Sequence, residues 1–378
     1  MSRLAVIAAV VLVPAAAATQ DVPTVHLTRP EATSADGFSA LIGLRLLSDG
    51  RVMVADALEQ TIAIVNLRSG DVTTIGRQGS GPGEYGMPGR LFAGAGDTTY
   101  MMDMGNRRLL VITPDGKVLS ETIPLRNPAG ELIPMIPGGM DARGRVYFDL
   151  AGIAMPGLEE NMRQGRSPLM RWDRERDRID TIGYVHFPPS QTRAQPGQVR
   201  FQMGGGAYEA RDAWAVTPDG RVGVARASDY HVEWLGAGAP VAGPAVPYRP
   251  IPITDAEKNR WADNMAQRGI AVSIDNGRRS TTRASRPDIH AMEWPAAMPP
   301  FPARGALATA GGELWVEQSR SARARERAYD VFDTRGRRVR QVVIANGGAV
   351  RWVRGSDVYV VREDEDGLQW IERYALRG

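Results

Sequence analysis

The stretch that decides the fold opens with G-R-Q-G-S-G-P-G-E-Y-G-M-P (residues 76–88) and closes with D-M-G-N-R-R-L-L-V-I-T-P-D-G-K-V-L (residues 103–119). A glycine-rich link therefore comes before two apolar strand patterns. The Pro-Asp-Gly after the second pattern is a signal for a tight turn into a further strand, because the glycine supplies a positive φ. This order is typical of one unit of antiparallel sheet.

Weaker copies of the central strand of this unit recur along the chain and define a repeat length. Equivalent points in these copies lie 47, 47, 76, 92 and 44 residues apart. Three of the five spacings fall in the range of ~40 to 50 residues that a four-stranded propeller blade requires. The two long spacings indicate blades that carry insertions. The equivalent points are Met53, Tyr100, Tyr147, Gly223, Trp315 and Tyr359.

Six equivalent points predict an all-β fold, a six-bladed β-propeller with a short helical insertion between blades four and five. Each point is followed by a strand with the alternation of half-buried β structure, for example Thr61 to Leu67. The last blade has only three strands in the C-terminal part of the chain. Because an open sheet edge invites association, we predict that Thr24 to Leu27 supplies the fourth strand and closes one domain over residues 22–378.

Residues 76–119 resemble the NHL-repeat family, in which G-x-G-x-G-P-G-E-F is followed by a strand, D-x-x-N-x-R and a second strand. The match includes residues 81–85, with Tyr85 in place of Phe, then Asp103 and Asn106, and Arg107 or Arg108. The resemblance is specific in this blade, while the others keep only turn and strand spacing. It implies a propeller fold, and it implies that Glu84 serves the link between blades.

Composition limits the class of protein. Arg3, ten apolar residues (4–13) and the alanines at 16–18 have the pattern of a signal peptide over residues 1–18, so we expect export to the periplasm or the outside of the cell. The apolar run is shorter than the ~20 residues of a membrane span. There is no cysteine, which excludes disulfides and thiolate metal sites. With 46 basic and 43 acidic residues the charge is nearly balanced, which argues against nucleic-acid binding.

The insertions, at about residues 151–167, 184–212 and 250–297, are where we expect function, because loops at the ends of a propeller are free of the packing that commits the strands. The first two read as loop. In the third, Thr254 and Glu257 form a capping box that predicts a helix to about Arg268, followed by a connecting flap from Ile270 to Trp294.

The third insertion carries the residues that we predict to bind a ligand. Arginines near tryptophans are typical of recognition surfaces, and guanidinium groups suit carboxylates, sulfates and phosphates. The candidate ligand-binding residues are Trp261, Arg268, Arg278, Arg279 and Trp294.

Asp56 and Asp103 form a second candidate, since both end the same strand of their blades and ring symmetry would bring them to one end of the channel. Two carboxylates could bind Ca²⁺ or act as acid and base. The alternative, which we favour, is that each caps the turn that follows it, with Asn106 and Arg107 completing the network around Asp103.

Catalysis is the competing functional hypothesis. Related six-bladed propellers include lyases that use histidines around a metal and gluconolactonase-type hydrolases that use Glu, Asn and Asp around Ca²⁺. Here the four histidines, at 26, 186, 231 and 290, lack metal-ligand spacing. No metal ligand set is predicted, and Ca²⁺ is the one cofactor that we consider. We therefore expect a monomeric binding module for a small molecule, a glycan or a protein, with a metal-dependent hydrolase or lyase as the alternative.

Overall fold

The computed structural model describes residues 22–125, 136–151, 153–154, 159–189, 200–201, 207–268, 270–275 and 278–377. The expected signal peptide lies outside these residues. Six blade sheets follow one another along the chain, five of them with four strands and one with five, and the four strands of each blade pair antiparallel. The prediction of a six-bladed β-propeller is confirmed. Among the described residues no helix is long and apolar enough to cross a membrane.

The strands of each blade are given from the channel outwards. Blade 1 consists of Leu41–Leu46, Val52–Asp56, Thr61–Val65 and Val72–Ile75. Blade 2 consists of Pro88–Ala93, Thr99–Asp103, Arg108–Ile112 and Val118–Pro124. Blade 3 consists of Gly139–Met140, Val146–Asp149, Arg166–Asp173 and Arg178–His186.

The second half of the ring is built in the same way. Blade 4 consists of Ala213–Val216, Val222–Arg226, His231–Leu235 and Val241–Ala242. Blade 5 consists of Ala306–Ala308, Leu314–Glu317, Arg327–Phe332 and Arg338–Ile344. Blade 6 consists of Ala349–Arg354, Asp357–Glu363, Gln369–Ala375 and, as its outermost strand, Ala32–Thr33.

The ring is closed by a different segment from the one that the sequence predicts. Ala32–Thr33 pairs antiparallel with the last strand of blade 6. Thr24–Leu27 instead runs parallel to Arg338–Ile344 and adds a fifth strand to blade 5. The prediction was wrong because the alternation of apolar and polar residues over 24–27 indicates an edge strand without indicating which of two adjacent sheet edges it covers.

The core is divided among the interfaces between blades. Six clusters of buried apolar side chains each join two adjacent blades, and the last joins blade 6 to blade 1. Between blades 1 and 2, for example, Met53 and Ile62 pack with Met101 and Leu110, all fully buried. Burying each such side chain contributes about 1.5–3 kcal/mol, so the buried side chains of the strands are committed to holding the ring.

Two helices and several short ribbons lie outside the blades. Helix α1 is Glu159–Arg163 and helix α2 is Asp255–Arg268, the helix that the capping box predicts. The ribbons pair Arg77–Gln78 with Glu84–Tyr85, Ile153–Ala154 with Arg200–Phe201, and Ile270–Asp275 with Arg278–Arg283. Single 3-10 turns occur at Ala95–Asp97 and Ile289–Ala291. The first insertion, which was predicted as loop, contains a helix and a ribbon strand. Both are too short to produce a recognisable hydrophobic period in the sequence.

Candidate functional site at the channel mouth

All the insertions lie at one end of the ring, which we call the insertion end. In each antiparallel blade the second strand runs towards this end, and so does the fourth strand before it connects to the next blade. The insertion in blade 3 follows its second strand, and the other two follow the fourth strands of blades 3 and 4. They therefore surround the same opening of the central channel.

Asp56 lies at the insertion end with both carboxylate oxygens engaged. Its Oδ2 accepts hydrogen bonds from the backbone N–H groups of Ser39 (2.7 Å) and Ala40 (3.0 Å). Its Oδ1 accepts from Leu58 N and Glu59 N, both at 3.0 Å. These four bonds tie the end of the second strand to the first strand and to the following turn, and they leave the carboxylate occupied by the protein itself.

Asp103 does the same for blade 2. Its Oδ1 accepts from Gly86 N (3.0 Å), Met87 N (3.1 Å) and Asn106 N (3.2 Å). Its Oδ2 accepts from Asn106 Nδ2 at 2.8 Å and faces Arg108 Nε at 3.3 Å. Arg108, and not Arg107, completes the network, because Arg107 occupies the left-handed turn position with a φ of 53°.

Glu84 stays within the link between blades 1 and 2. Its Oε2 accepts from Gly81 N at 2.8 Å, and its Oε1 accepts from Arg77 Nε at 2.7 Å. The bond to Gly81, followed by Arg77, holds the pKa of Glu84 below its usual range. Tyr85 next to it is 2% exposed and belongs to the cluster between the two blades. The link thus uses its motif residues for packing and local bonding.

The third insertion leaves and rejoins the ring at a neck of two paired segments. Ile253 N donates to Ala296 O (3.1 Å), and Met298 N donates to Ile251 O (2.8 Å). Helix α2 begins directly after the neck, where Glu257 Oε2 accepts from Thr254 N at 3.2 Å and from the Thr254 hydroxyl. Because its two ends meet, the insertion is an appendage to a ring that is complete without it.

The insertion is fixed to the ring at two blades. On blade 5, Glu257 Oε1 accepts from Ala322 N (3.1 Å) and the Arg260 guanidinium donates to the backbone carbonyls of residues 320 and 321. On the far side, Arg283 Nη2 donates to Ser39 O of the connection into blade 1 at 3.2 Å. Since blade 6 lies between blades 5 and 1, these anchors span the sector of blade 6 at the insertion end.

The two predicted tryptophans come together within the insertion. Trp261 of α2 meets Trp294 of the returning chain edge to face, with ring centroids 5.5 Å apart, and Tyr208 lies 6.1 Å from Trp294. Trp294 Nε1 also donates to Ile289 O at 2.9 Å. This contact packs α2 against the returning chain. The side chains of Arg268, Arg278 and Arg279 lie outside the described part of the structure.

The channel itself is lined by residues that sequence reasoning missed. In blade 6, Val350 pairs with Val360 and Trp352 pairs with the next residue of that strand. Arg351 is therefore the extra residue of a β-bulge. In blade 1 the same irregularity leaves Ile42 as the extra residue, and it is 39% exposed. In blade 2 the bulge contains Gly89 and Arg90. A bulge on the innermost strand turns its side chain out of the blade, which here means towards the channel.

Four charged side chains from different blades interact electrostatically: Arg90, Asp149, Arg304 and Arg351. Burial, with the charges of Arg304 and Arg351 beside it, lowers the pKa of Arg90 to about 10, well below its ordinary value, while Asp149 raises it. Arg304 comes just before the first strand of blade 5, which is opposite blade 2 in a ring of six. An interaction between them passes across the channel, so these side chains converge on its opening.

Arg90 is left without a counter-charge of its own. Its Nη1 donates a long hydrogen bond of 3.4 Å to Gly138 O, and within the described part of the chain it forms no ion pair. Asp149, the one acidic group that favours its charge, is held by Trp214 Nε1 (2.8 Å) and Ala151 N (2.9 Å). We call this set the channel mouth, formed by Ile42, Arg90, Asp149, Trp214, Arg304 and Arg351.

The opposite end of the ring offers a contrasting basic groove of about 490 Å³ between blades 3 and 4. Three of the four arginines that line it form ion pairs, Arg145 with Asp141 (2.6 Å), Arg171 with Asp180 (2.6 Å) and Arg221 with Asp219 (2.9 Å). Over the residues that the structure describes, no three His, Asp or Glu side chains are grouped so as to hold a metal ion.

Likeness to known proteins is distant. No protein family matches the chain, and no curated protein matches it in sequence. Regucalcin, a calcium-binding protein from Agrobacterium tumefaciens, is similar at 12% identity over 94% of this chain and 97% of that one (TM-score 0.37). Virginiamycin B lyase from Staphylococcus aureus is similar at 11% identity over 92% and 99% (TM-score 0.40). A member of the DUF4221 family from Bacteroides vulgatus is similar at 9% identity over 93% and 98% (TM-score 0.49). Likeness at these identities concerns the fold alone.

Proposed function

We propose that this protein is an exported, monomeric binding module that captures a ligand at the channel mouth, beneath the third insertion. The observation that carries the proposal is the form of that insertion. It is attached through a neck, it is dispensable for closing the ring, and it is fixed to blades 5 and 1 at the insertion end. Because the third insertion is not needed to build the propeller core, we assign it to recognition.

Residue chemistry at the mouth also favours capture over catalysis. Arginines and a tryptophan are typical of recognition surfaces, whereas a metal-dependent hydrolase or lyase would need converging carboxylates or histidines. The carboxylates of Asp56 and Asp103 are occupied by hydrogen bonds from their own blades. We extend the proposal to kinship with NHL-repeat proteins, which is supported by the bonding of Glu84 and Asp103 in blade 2.

The neck allows a clean test of this function. Residues 254–294 are replaced by Asn-Gly, a dipeptide suited to a tight turn between paired segments such as those at 251–253 and 296–298. The wild-type protein and the deletion variant are then isolated from the exported fraction, and their masses are measured under native and denaturing conditions. We expect a small molecule bound to the wild type and lost from a deletion variant that keeps its β circular dichroism.

The same preparation addresses the alternative function. Stoichiometric calcium or zinc that survives dialysis, measured by elemental analysis, would favour a metal-dependent hydrolase or lyase. A deletion variant that binds the same molecule as tightly as the wild type, or one that unfolds completely, contradicts the proposal.

A further inference from the structure

We infer that residues 243–250, which we call the proline segment, are a docking site for a partner protein whose groove of aromatic side chains accepts a polyproline II helix. This site is separate from the channel mouth and goes beyond the proposed function. The segment reads G-P-A-V-P-Y-R-P, with a proline at every third position. It continues the fourth strand of blade 4 along the outer rim of the ring and ends at the neck of the third insertion.

The proline segment has the three-residue period of a polyproline II helix and not the two-residue period of a strand. Six of its eight residues are prolines or precede one, and proline fixes its own φ at about −65° and disfavours helical backbone in the residue before it. All eight residues are described, and none of them lies in a strand or has a positive φ. Gly243 N donates to Val232 O at 2.9 Å and Val246 N donates to Tyr230 O at 2.7 Å. These donors are three residues apart, whereas donors in a β-ladder are two apart.

This period sorts the side chains of the proline segment into three rows. One row faces the ring, where Val246 is 6% exposed in the cluster between blades 4 and 5, and a Cβ on Gly243 would clash with the backbone of Gly336. The other two rows face solvent, and their exposed members are Pro244, Ala245, Pro247, Tyr248 and Pro250. A three-sided helix that lies in a groove presents two rows to it, so the row packed against the ring leaves the docking surface open.

The ring holds the proline segment in the conformation that a partner would bind. Before the segment, Val241–Ala242 pairs with the third strand of blade 4, and after it Ile251 O accepts from Met298 N at the neck. The ring of Tyr248 packs edge to face on Tyr230, with centroids 6.3 Å apart, and Tyr248 is still 41% exposed. A preformed polyproline II helix loses little conformational entropy on binding, which favours recognition of this segment.

Protection of the sheet edge is the alternative role of the proline segment, because prolines on an outer strand prevent edge-to-edge association. Arg249 is exposed and, among the residues that the structure describes, has no acidic partner. Edge protection explains neither this cation nor the exposed ring of Tyr248 beside it. A groove of aromatic side chains with an acidic residue at its rim accommodates both of them together with the prolines.

The experiment uses isolated SH3, WW and EVH1 domains as probes, since all three bind polyproline II helices in aromatic grooves. Each isotope-labelled domain is titrated with the intact protein and followed by nuclear magnetic resonance. We expect at least one of them to bind saturably through the residues of its groove. Pro247→Ala and Tyr248→Ala should each weaken this binding tenfold or more, because each removes surface that enters the groove. Pro240→Ala changes an exposed proline before the fourth strand and is the matched control, which should leave the affinity unchanged.

Two results overturn the inference: no saturable binding by any of the three domain types, or equal affinities of the wild type and Pro247→Ala. If Pro247→Ala forms larger species in light scattering while no domain binds the wild type, the prolines only protect the edge.

The deletion of residues 254–294 separates this inference from the proposed function, because it keeps the proline segment. The deletion variant should lose the copurified small molecule and still bind the domain. If it keeps both, the proposed function is wrong and the docking site stands. If a folded deletion variant no longer binds the domain, the docking site lies on the third insertion and the inference is wrong.

Discussion

Replacing Arg90 by methionine should make the protein more stable. The lowering of the Arg90 pKa to about 10 means that the charged guanidinium is disfavoured in the folded protein by roughly 3 kcal/mol. Methionine keeps the apolar stem and removes the charge. The bond to Gly138 O, at 3.4 Å, is long and contributes at most about 1 kcal/mol. We therefore expect a net gain of about 2 kcal/mol.

The destabilisation by Arg90 has to be measured at a pH at which the guanidinium is charged. The folded pKa of Arg90 is below its unfolded value, and below about pH 10 the group is protonated in both states. The destabilisation is therefore fully present at pH 7 and is relieved only as the pH rises through the folded pKa. Urea unfolding at pH 7 in a buffer of monoanions gives the free energy of unfolding from the midpoint and slope.

Arg171→Met provides the matched comparison. The hydrogen bond to Asp180 raises the pKa of Arg171, so its charge is favoured in the folded protein. Because the pair is partly exposed, its loss should lower the stability by at most about 1 kcal/mol. Should Arg90→Met prove no more stable than the wild type while Arg171→Met behaves as described, the repulsion in the channel mouth has been misjudged.

Three further predictions concern the framework around the site. Asp56→Ala should lower the free energy of unfolding by about 3 kcal/mol or more, because four backbone N–H groups lose their acceptor, whereas Asp56→Asn should lower it less; equal losses in urea unfolding would contradict this. Removing residues 22–27 should leave a monomer with a reduced melting temperature. Removing residues 22–34 should also expose the edge of blade 6 and cause association, as seen by light scattering. Association of the first variant but not of the second would disprove the observed closure. Although burial acts in the opposite direction, hydrogen bonds from Ser48 and the charge of Arg45 hold the pKa of Asp97 below its usual value. Its contribution to stability should therefore be present above the unfolded pKa and be lost as the pH falls through the folded pKa. Asp97→Asn should remove that part of the acid sensitivity in pH-dependent unfolding.

Local patterns were sufficient to predict the blades. The turn at residues 113–117, where Gly116 has a φ of 90°, and the central strands at 52–54, 99–101 and 358–360 lie where the sequence predicts them. The capping box at Thr254 likewise predicts the start of α2. These features depend on neighbouring residues, so a single sequence contains their signal.

The closing strand and the channel mouth required the tertiary structure. Residues 24–27 and 32–33 both have the composition of an edge strand, and only the complete ring decides which edge each one covers. The bulges that carry Arg90 and Arg351 lie in strands whose letters read as ordinary packed segments. An arginine in an innermost strand is the signal that could have identified them.

The number of blades, the strands and the start of the inserted helix follow from the amino-acid sequence alone, because periodicity, turn residues and helix caps act over a few positions. That Arg90, Arg304 and Arg351 share one opening, although up to 261 positions separate them in the chain, follows from the fold. A closed ring brings its innermost strands together around an axis. Repulsion between charges at that axis depends on distance in space, which the order of residues does not contain.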